Sequence, residues 1–294
     1  MSPVLRATPA AAFALALALP GSRPPATAQT QTFRSQVEVV RVDVLVTENG
    51  RPVTGLRPSD FEVLDNGVRQ QVAFAGLEHM PLNVLLALDA SDSVAGAPLD
   101  HLRAAGNALL DRLAADDRAA LVTFNHLLAL GSPLTPDIPR VRQAIGNVTP
   151  GGGTALVDAL YAGIVLGESD VGRSLLVVFT DGADMSSYLR PQVVTDTAKS
   201  SDVVVYAVAS GRSGRRDTVF LRDVADRTGG SLIEIESTKD LQQTFVGILE
   251  EFRLRYLLSY SPHGVPAPGW HRLDVRVKGR NAVVKARAGY QVGS

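Results

Sequence analysis

The sequence predicts an α/β fold, a doubly wound and mostly parallel sheet inserted in a small β-domain built from both chain ends. Three observations carry this. Two apolar runs, Val84–Leu88 and Leu175–Phe179, read as strands covered on both faces, and an aspartate follows each closely. Across residues 82–252, strand-like and helix-like patterns alternate, the signature of a sheet with helices on both sides. At residues 33–78 and 254–290 the texture is short and β-like.

In order along the chain, Val37–Val46 is a strand, with Val40, Val42, Val44 and Val46 on one face. Asn49-Gly50 is a turn signal. Phe61–Leu64 and Val68–Phe74 read as a hairpin with Asn66-Gly67 at its tip. Val84–Leu88 follows, then a helix carrying Leu99, Leu102, Leu109, Leu110 and Leu113 on one face. Ala119–Phe124 is the next strand, and Leu127–Leu134 returns beside it at an edge. A short helix over Ile138–Ile145 leads to the glycines at 151–153 and to a helix over Ala155–Leu166. After Leu175–Phe179 come helix Gln192–Ser200, strand Val203–Val208, helix Val219–Arg227 and strand Leu232–Ile235. A last helix, Asp240–Phe252, has a stripe of Leu241, Phe245, Ile248, Leu249 and Phe252, expected to be core. Three strands close the chain at Leu254–Tyr260, Arg272–Val277 and Ala282–Ala288. Neither flank alone supplies many strands, so one sheet or sandwich drawing on both ends is the economical arrangement.

With 294 residues, 45% of them apolar, the chain can bury a substantial core. A net charge of -1 offers no basic footprint for nucleic acid. Cysteine is absent, which removes disulfides, thiolate metal sites and cysteine nucleophiles together. Residues 1–28 read as a signal peptide: Arg6, the apolar run Ala10–Leu19, a Pro20-Gly21 break and Ala26-Thr27-Ala28 at cleavage spacing. That apolar run falls short of the ~20 residues a spanning helix needs. The expectation is an exported chain, periplasmic or secreted, without a membrane span after cleavage.

The chemistry gathers where the first apolar run ends. Asp89, Ser91 and Ser93 alternate, and a curved loop aims all three at one point. A carboxylate with two hydroxyls suits a hard cation, Mg2+ before Ca2+, and suits zinc poorly. Alone the pattern is weak, because Asp and Ser also crowd strand-to-helix turns as caps. Two distant fragments strengthen it: Thr154 follows three glycines, and Asp181 follows the second apolar strand. In a parallel sheet these meet in one crevice at the carboxyl edge of the strands.

The series Asp-x-Ser-x-Ser, Gly-Gly-Thr and apolar-strand-Thr-Asp-Gly resembles the metal-ion-dependent adhesion site of von Willebrand factor type A (VWFA) domains, whose sheet is Rossmann-like. By that resemblance Ser91, Ser93 and Thr154 supply hydroxyls, and Asp89 and Asp181 bind the ion directly or through water. The ion implied is Mg2+, with Mn2+ or Ca2+ as alternatives. The partner implied is a protein presenting an exposed Asp or Glu. Asp92, Gly153 and Asp184 stand beside the five as possible support, and a surface-capping role fits both aspartates better. The flanks, including Val42–Val46 and Ala286-Arg-Ala-Gly-Tyr290, resemble a bacterial exported VWFA-related family of acidobacterial type, over roughly residues 37–290.

No nucleophile elbow, P-loop or dinucleotide fingerprint is present, and the histidines show no ligand-like pairing. The expectation is a binding module rather than an enzyme. A structural domain of a cell-envelope assembly, with metal incidental, is the alternative; a metal-dependent envelope hydrolase ranks third.

Overall fold

The computed structural model describes residues 39–77, 80–169, 171–210, 215–266 and 268–292. The expected leader at 1–28 and the start of the first strand at 37–38 lie outside them. The elements, in order, are β1 (Val40–Glu48), β2 (Arg51–Pro52), β3 (Phe61–Asp65), β4 (Val68–Gln70), β5 (Phe74–Gly76) and β6 (Leu82–Asp89). Then follow α1 (Ala97–Leu110), β7 (Arg118–Phe124), β8 (Leu128–Thr135), α2 (Ile138–Gly146), α3 (Leu156–Gly167) and β9 (Arg173–Thr180). The chain continues through α4 (Pro191–Ser200), β10 (Val204–Ser210), α5 (Arg215–Thr228), β11 (Ser231–Ile235) and α6 (Leu241–Arg253). It closes with β12 (Tyr256–Tyr260), β13 (Gly269–Val277), β14 (Val283–Lys285) and β15 (Gly289–Val292).

The central sheet has the order β11-β10-β9-β6-β7-β8, parallel except for β8, which runs antiparallel to β7 at the edge. Every residue of β6 and β9 is buried, as strands covered on both faces must be. Their side chains alternate between two cores. Val84, Leu86, Leu88, Val177 and Phe179 pack with α1, α2 and the full stripe of α6. Leu85, Ala87, Leu176 and Val178 pack with α3, α4 and Leu221 and Val224 of α5. Helices this short are marginal alone, so these faces hold them rather than propensity.

The chain ends build two further sheets, one of order β14-β1-β12-β5 with β2 beside β1, the other β15-β13-β3-β4. Both draw on both flanks: β1 pairs with β12 from Val40↔Tyr260 to Val44↔Tyr256, and β3 pairs with β13 from Asp65↔Leu273 to Phe61↔Val277. Val40, Val42, Val44 and Val46 are buried together, as their spacing predicts, against Phe61, Val63, Tyr256 and Leu258. Asn49-Gly50 and Asn66-Gly67 both carry positive φ, which a two-residue turn of this hand requires.

Two expected strands are cut short where the chain changes sheet. Val68–Phe74 is not one hairpin arm: β4 stays on β3, and β5 crosses to pair with β12 in the other sheet. Of Ala282–Ala288 only Val283–Lys285 is strand, β14 on β1; after a break the chain crosses to pair as β15, Gly289–Val292, on β13. The reason is common to both. Alternation records which face is buried, and two sheets sharing one core bury their faces alike, so a switch between them leaves no trace in the pattern. The Gln70 side chain fixes the first crossing, donating to the His263 carbonyl at 3.0 Å and accepting from its N–H at 2.9 Å.

A buried polar cluster ties these sheets together. Asp65, fully buried, accepts from Tyr260 Oη at 2.8 Å and Tyr290 Oη at 2.7 Å. His271 Nδ1 lies 2.8 Å from the same carboxylate, which can only accept, so the ring proton sits there. Burial, with the neighbouring carboxylate, pushes both tyrosine hydroxyls well above their ordinary range. Asp65→Ala leaves two hydroxyls and an imidazole without their shared acceptor. The expected loss is about 3–5 kcal/mol in urea unfolding, against about 1 kcal/mol for Tyr290→Phe, which removes one donor. Equal losses for the two variants would contradict a carboxylate-centred cluster.

Candidate metal site

The carboxyl ends of β6 and β9 lie side by side, in register up to Leu88↔Phe179. The next residue on each strand closes the gap, with Thr180 Oγ1 donating to Asp89 Oδ2 at 2.7 Å. The other oxygen of Asp89 accepts from the Ser91 N–H at 2.9 Å, which turns the loop back over the strand end. Ser91 Oγ is 2.9 Å from Ser93 Oγ, and Ser93 Oγ donates to Asp181 Oδ1 at 2.5 Å. Ser91, Ser93 and Asp181 thus form one hydrogen-bonded chain of oxygens, to which Asp89 is tied through the Ser91 amide.

Thr154 joins them from a third loop. A Cβ built on Gly182 would meet Thr154 Oγ1 at 3.0 Å and Ser93 Oγ at 3.7 Å, so both hydroxyls border the same small space. Glycine at 182 keeps that space open. Backbone bonds lace the loops together: Gly151 N–H to Ala90 O at 2.8 Å, Asp92 N–H to Gly152 O at 3.0 Å, and Ala155 N–H to Asn125 O at 2.7 Å. Gly152 sits at φ +78, and a Cβ there would run into the His126 ring; one on Gly153 would meet Ser186 Oγ at 2.5 Å. The glycine run therefore serves close approach as much as pliability.

Asp89, Ser91, Thr154 and Asp181 are buried, and Ser93 is half-buried. Burial raises the Asp89 carboxyl above its ordinary value; hydrogen bonds from Ser91 and Thr180 oppose this, and the Asp181 charge adds to it. The donor set fits a hard cation: carboxylate and hydroxyl oxygens from three loops converge, with no nitrogen or sulfur among them. Among the described residues no group of three or more His, Cys, Asp or Glu side chains gathers to hold an ion, so hydroxyls are the distinctive donors here.

The neighbours divide. Asp184 accepts at Oδ1 from the Leu156 N–H at 2.8 Å and from Ser187 Oγ at 2.5 Å, capping the free amides at the start of α3. It supports Thr154 by fixing the helix that begins two residues later. Asp92 is exposed and its backbone holds the glycine loop. The positioning role of Thr180 escapes sequence reasoning, because its hydroxyl matters only once the register of two strands distant in sequence is known.

Asp89→Asn tests the cost of burying this charge. The amide oxygen can keep the Ser91 bond, and its NH2 can donate to Thr180 Oγ1, whose proton has the Gly182 carbonyl at 3.3 Å as acceptor. A folded-state pKa above the unfolded one means the metal-free fold gains stability as pH falls through the raised value and loses it as pH rises. Asp89→Asn should therefore stabilise the metal-free chain at neutral pH and flatten this part of the pH dependence in thermal melts. A destabilised variant would show that the carboxylate is instead favourably held.

The sequence matches the von Willebrand factor type A domain over residues 83–246. A protein of Synechocystis is 26% identical over 233 residues, 71% of this chain and 54% of that protein. Inter-alpha-trypsin inhibitor heavy chain H2 of Mus musculus is 25% identical over 200 residues, 63% of this chain and 21% of that one. The chain thus spans about half the length of the first relative and a fifth of the second. Among solved structures, a von Willebrand factor type A protein of Catenulispora acidiphila aligns over 88% of this chain and 74% of its own, with TM-score 0.53 and 13% identity. Proximal thread matrix protein 1 of the mussel byssus, with a zinc-occupied MIDAS motif, aligns over 65% and 50%, with TM-score 0.54 and 18% identity. With more than half its length matched in sequence, and the doubly wound sheet in place, the chain belongs to the von Willebrand factor type A domain family.

Proposed function

We propose that this chain is an exported module that binds a protein partner through a divalent cation, Mg2+ in the first instance. Ser91, Ser93 and Thr154 would hold the ion, with Asp89 and Asp181 binding directly or through water. The observation that carries this is the convergence of these oxygens around the space beside Gly182. Three neutral hydroxyls leave much of a cation's charge uncompensated, and Asp89 is held back by Thr180 and the Ser91 amide. When bound, the ion supplies a positively charged, open position that a partner's Asp or Glu can occupy. The chain's own part is to fix the loops and to keep the site partly dry, which strengthens a contact between opposite charges.

Domains of this family are generally interaction modules, and binding rather than catalysis is the reading that fits the residues present. The zinc in the byssus protein makes zinc one ion worth including in titration, although an all-oxygen set favours harder ions. Export rests on the leader-like pattern at residues 1–28. No helix among the described residues is long and apolar enough to cross a membrane.

Calorimetric titration with Mg2+, Mn2+, Ca2+ and Zn2+ tests the site. Saturable binding is expected in the wild type, and at least ~10-fold weaker binding in Ser93→Ala, Thr154→Ala and Asp181→Asn, each with the fold retained by circular dichroism. Wild-type affinity in all three variants would remove these residues from the site. Partner capture that survives chelator would favour the structural-assembly alternative. For export, the chain expressed in a bacterial host should be recovered outside the cytoplasm with Gln29 at its N-terminus; cytoplasmic retention at full mass would refute the leader.

A further inference from the structure

The loops that frame the candidate site carry their own information about what docks there. Tyr188 is 90% exposed, Met185 78% and Leu127 62%. Single exposed apolar residues are ordinary on any surface. These three come from two separate loops and border one site. The Met185 N–H donates to the Thr154 carbonyl at 3.0 Å. Tyr188 is anchored by its N–H to Asp158 Oδ2 at 2.9 Å, in the first turn of α3. Leu127 follows His126, whose ring lies against Gly152. On the remaining side the loop after Ser93 exposes Ala95, Gly96 and Ala97, which are small and uncharged.

Fixed charge is scarce on this rim. Across residues 91–97, 125–127, 150–154 and 182–190 the acidic side chains are Asp92 and Asp184, Lys is absent, and Arg190, at the outer end two residues past Tyr188, is the single arginine. Asp184 is engaged with the start of α3. Asp92 is exposed and would repel a second acid beside the first. A small polar centre thus sits inside an apolar surround, in which water is excluded once a partner is seated.

We propose that the partner segment presents a single Asp or Glu set between apolar or aromatic residues, and that Tyr188, Met185 and Leu127 read those neighbours. An acidic tract, or an acid among glycines and serines, is the wrong ligand: the tract meets Asp92, and the polar flanks leave the apolar side chains uncovered. This rests on the metal-dependent reading above and adds the chemistry of the partner to it.

The test uses the purified chain in Mg2+ and three fluorescent peptide series, read by anisotropy: one Asp flanked by Leu and Phe, the same Asp flanked by Gly and Ser, and a run of Asp. The apolar-flanked series should bind at least ~10-fold more tightly than either other series. Chelator should abolish that binding. Tyr188→Ser combined with Met185→Ser should remove the preference while leaving the calorimetric Mg2+ affinity unchanged. Equal or tighter binding of the Gly/Ser or poly-Asp series overturns the proposal, as does a double variant that keeps the preference. If Mg2+ binds but no series does, the partner assignment falls and the metal site stands. If Mg2+ itself fails to bind the wild type, both readings fall together.

Discussion

The parallel register of β6 on β9 is the constraint on which the rest depends. Leu88 opposite Phe179 brings Asp89 level with Thr180, and the hydroxyl-to-carboxylate bond between them then follows. One residue further on each strand, the chain must turn, and the turns are what deliver Ser91, Ser93 and Asp181 to a common place. A shift of one residue would exchange the faces of every side chain in the strand, and both cores forbid that. The apolar packing on the two faces thus holds the polar geometry at the sheet edge to within a hydrogen bond. Nothing in the site itself has to supply that accuracy.

Much of this was legible in the residues. The two buried strands announced themselves because both faces are covered and no polar residue interrupts them. The stripe of α6 announced its buried face by helical spacing. The five oxygen donors could be assembled from fragments far apart because open parallel sheets bring their carboxyl edges to one crevice. What stayed hidden was of two kinds. Sheet switching at Gln71–Ala73 and at Ala286–Ala288 is invisible to alternation, since either sheet buries the same face. Hydrogen bonds such as those of Thr180, Asp184 and Asp65 depend on neighbours nearly 30 to 225 residues away, which local pattern does not encode.

The join between the central layer and the sheets from the chain ends is polar at its heart. Arg255 is wholly buried, and its guanidinium donates to Tyr206 Oη at 3.1 Å and to the carbonyls of Gly229 at 2.7 Å, Asp43 at 3.2 Å and Lys285 at 3.2 Å. Arg173, also buried, pairs with Asp43 and lies over the Phe252 ring at 4.8 Å. Gly229 has no room for a side chain, since a Cβ would stand 2.6 Å from the Ala286 backbone. A planar cation that satisfies several carbonyls at once is a geometric lock, because an apolar replacement would strand the acceptors it left behind. The layer that carries the candidate site and the sheets around it are thereby held as one compact unit.

The pairing of β5 with β12 has a mechanical consequence. The central layer leaves the surrounding sheets after β5 and returns at β12, and these two strands are bonded neighbours, Gly76 opposite Leu257. Tension applied between β1 and β15 would be borne first by the ladders of β1 on β12 and β13 on β15, loaded as parallel rows of hydrogen bonds. The inserted layer meets that load path at its join with the sandwich, through bonds such as Arg255 to the Lys285 carbonyl and the Ala288 N–H to the Arg227 carbonyl. Stretching the chain from its flanks would strain the sandwich and this join before it reached the oxygen cluster, which sits at the opposite, carboxyl edge of the central sheet.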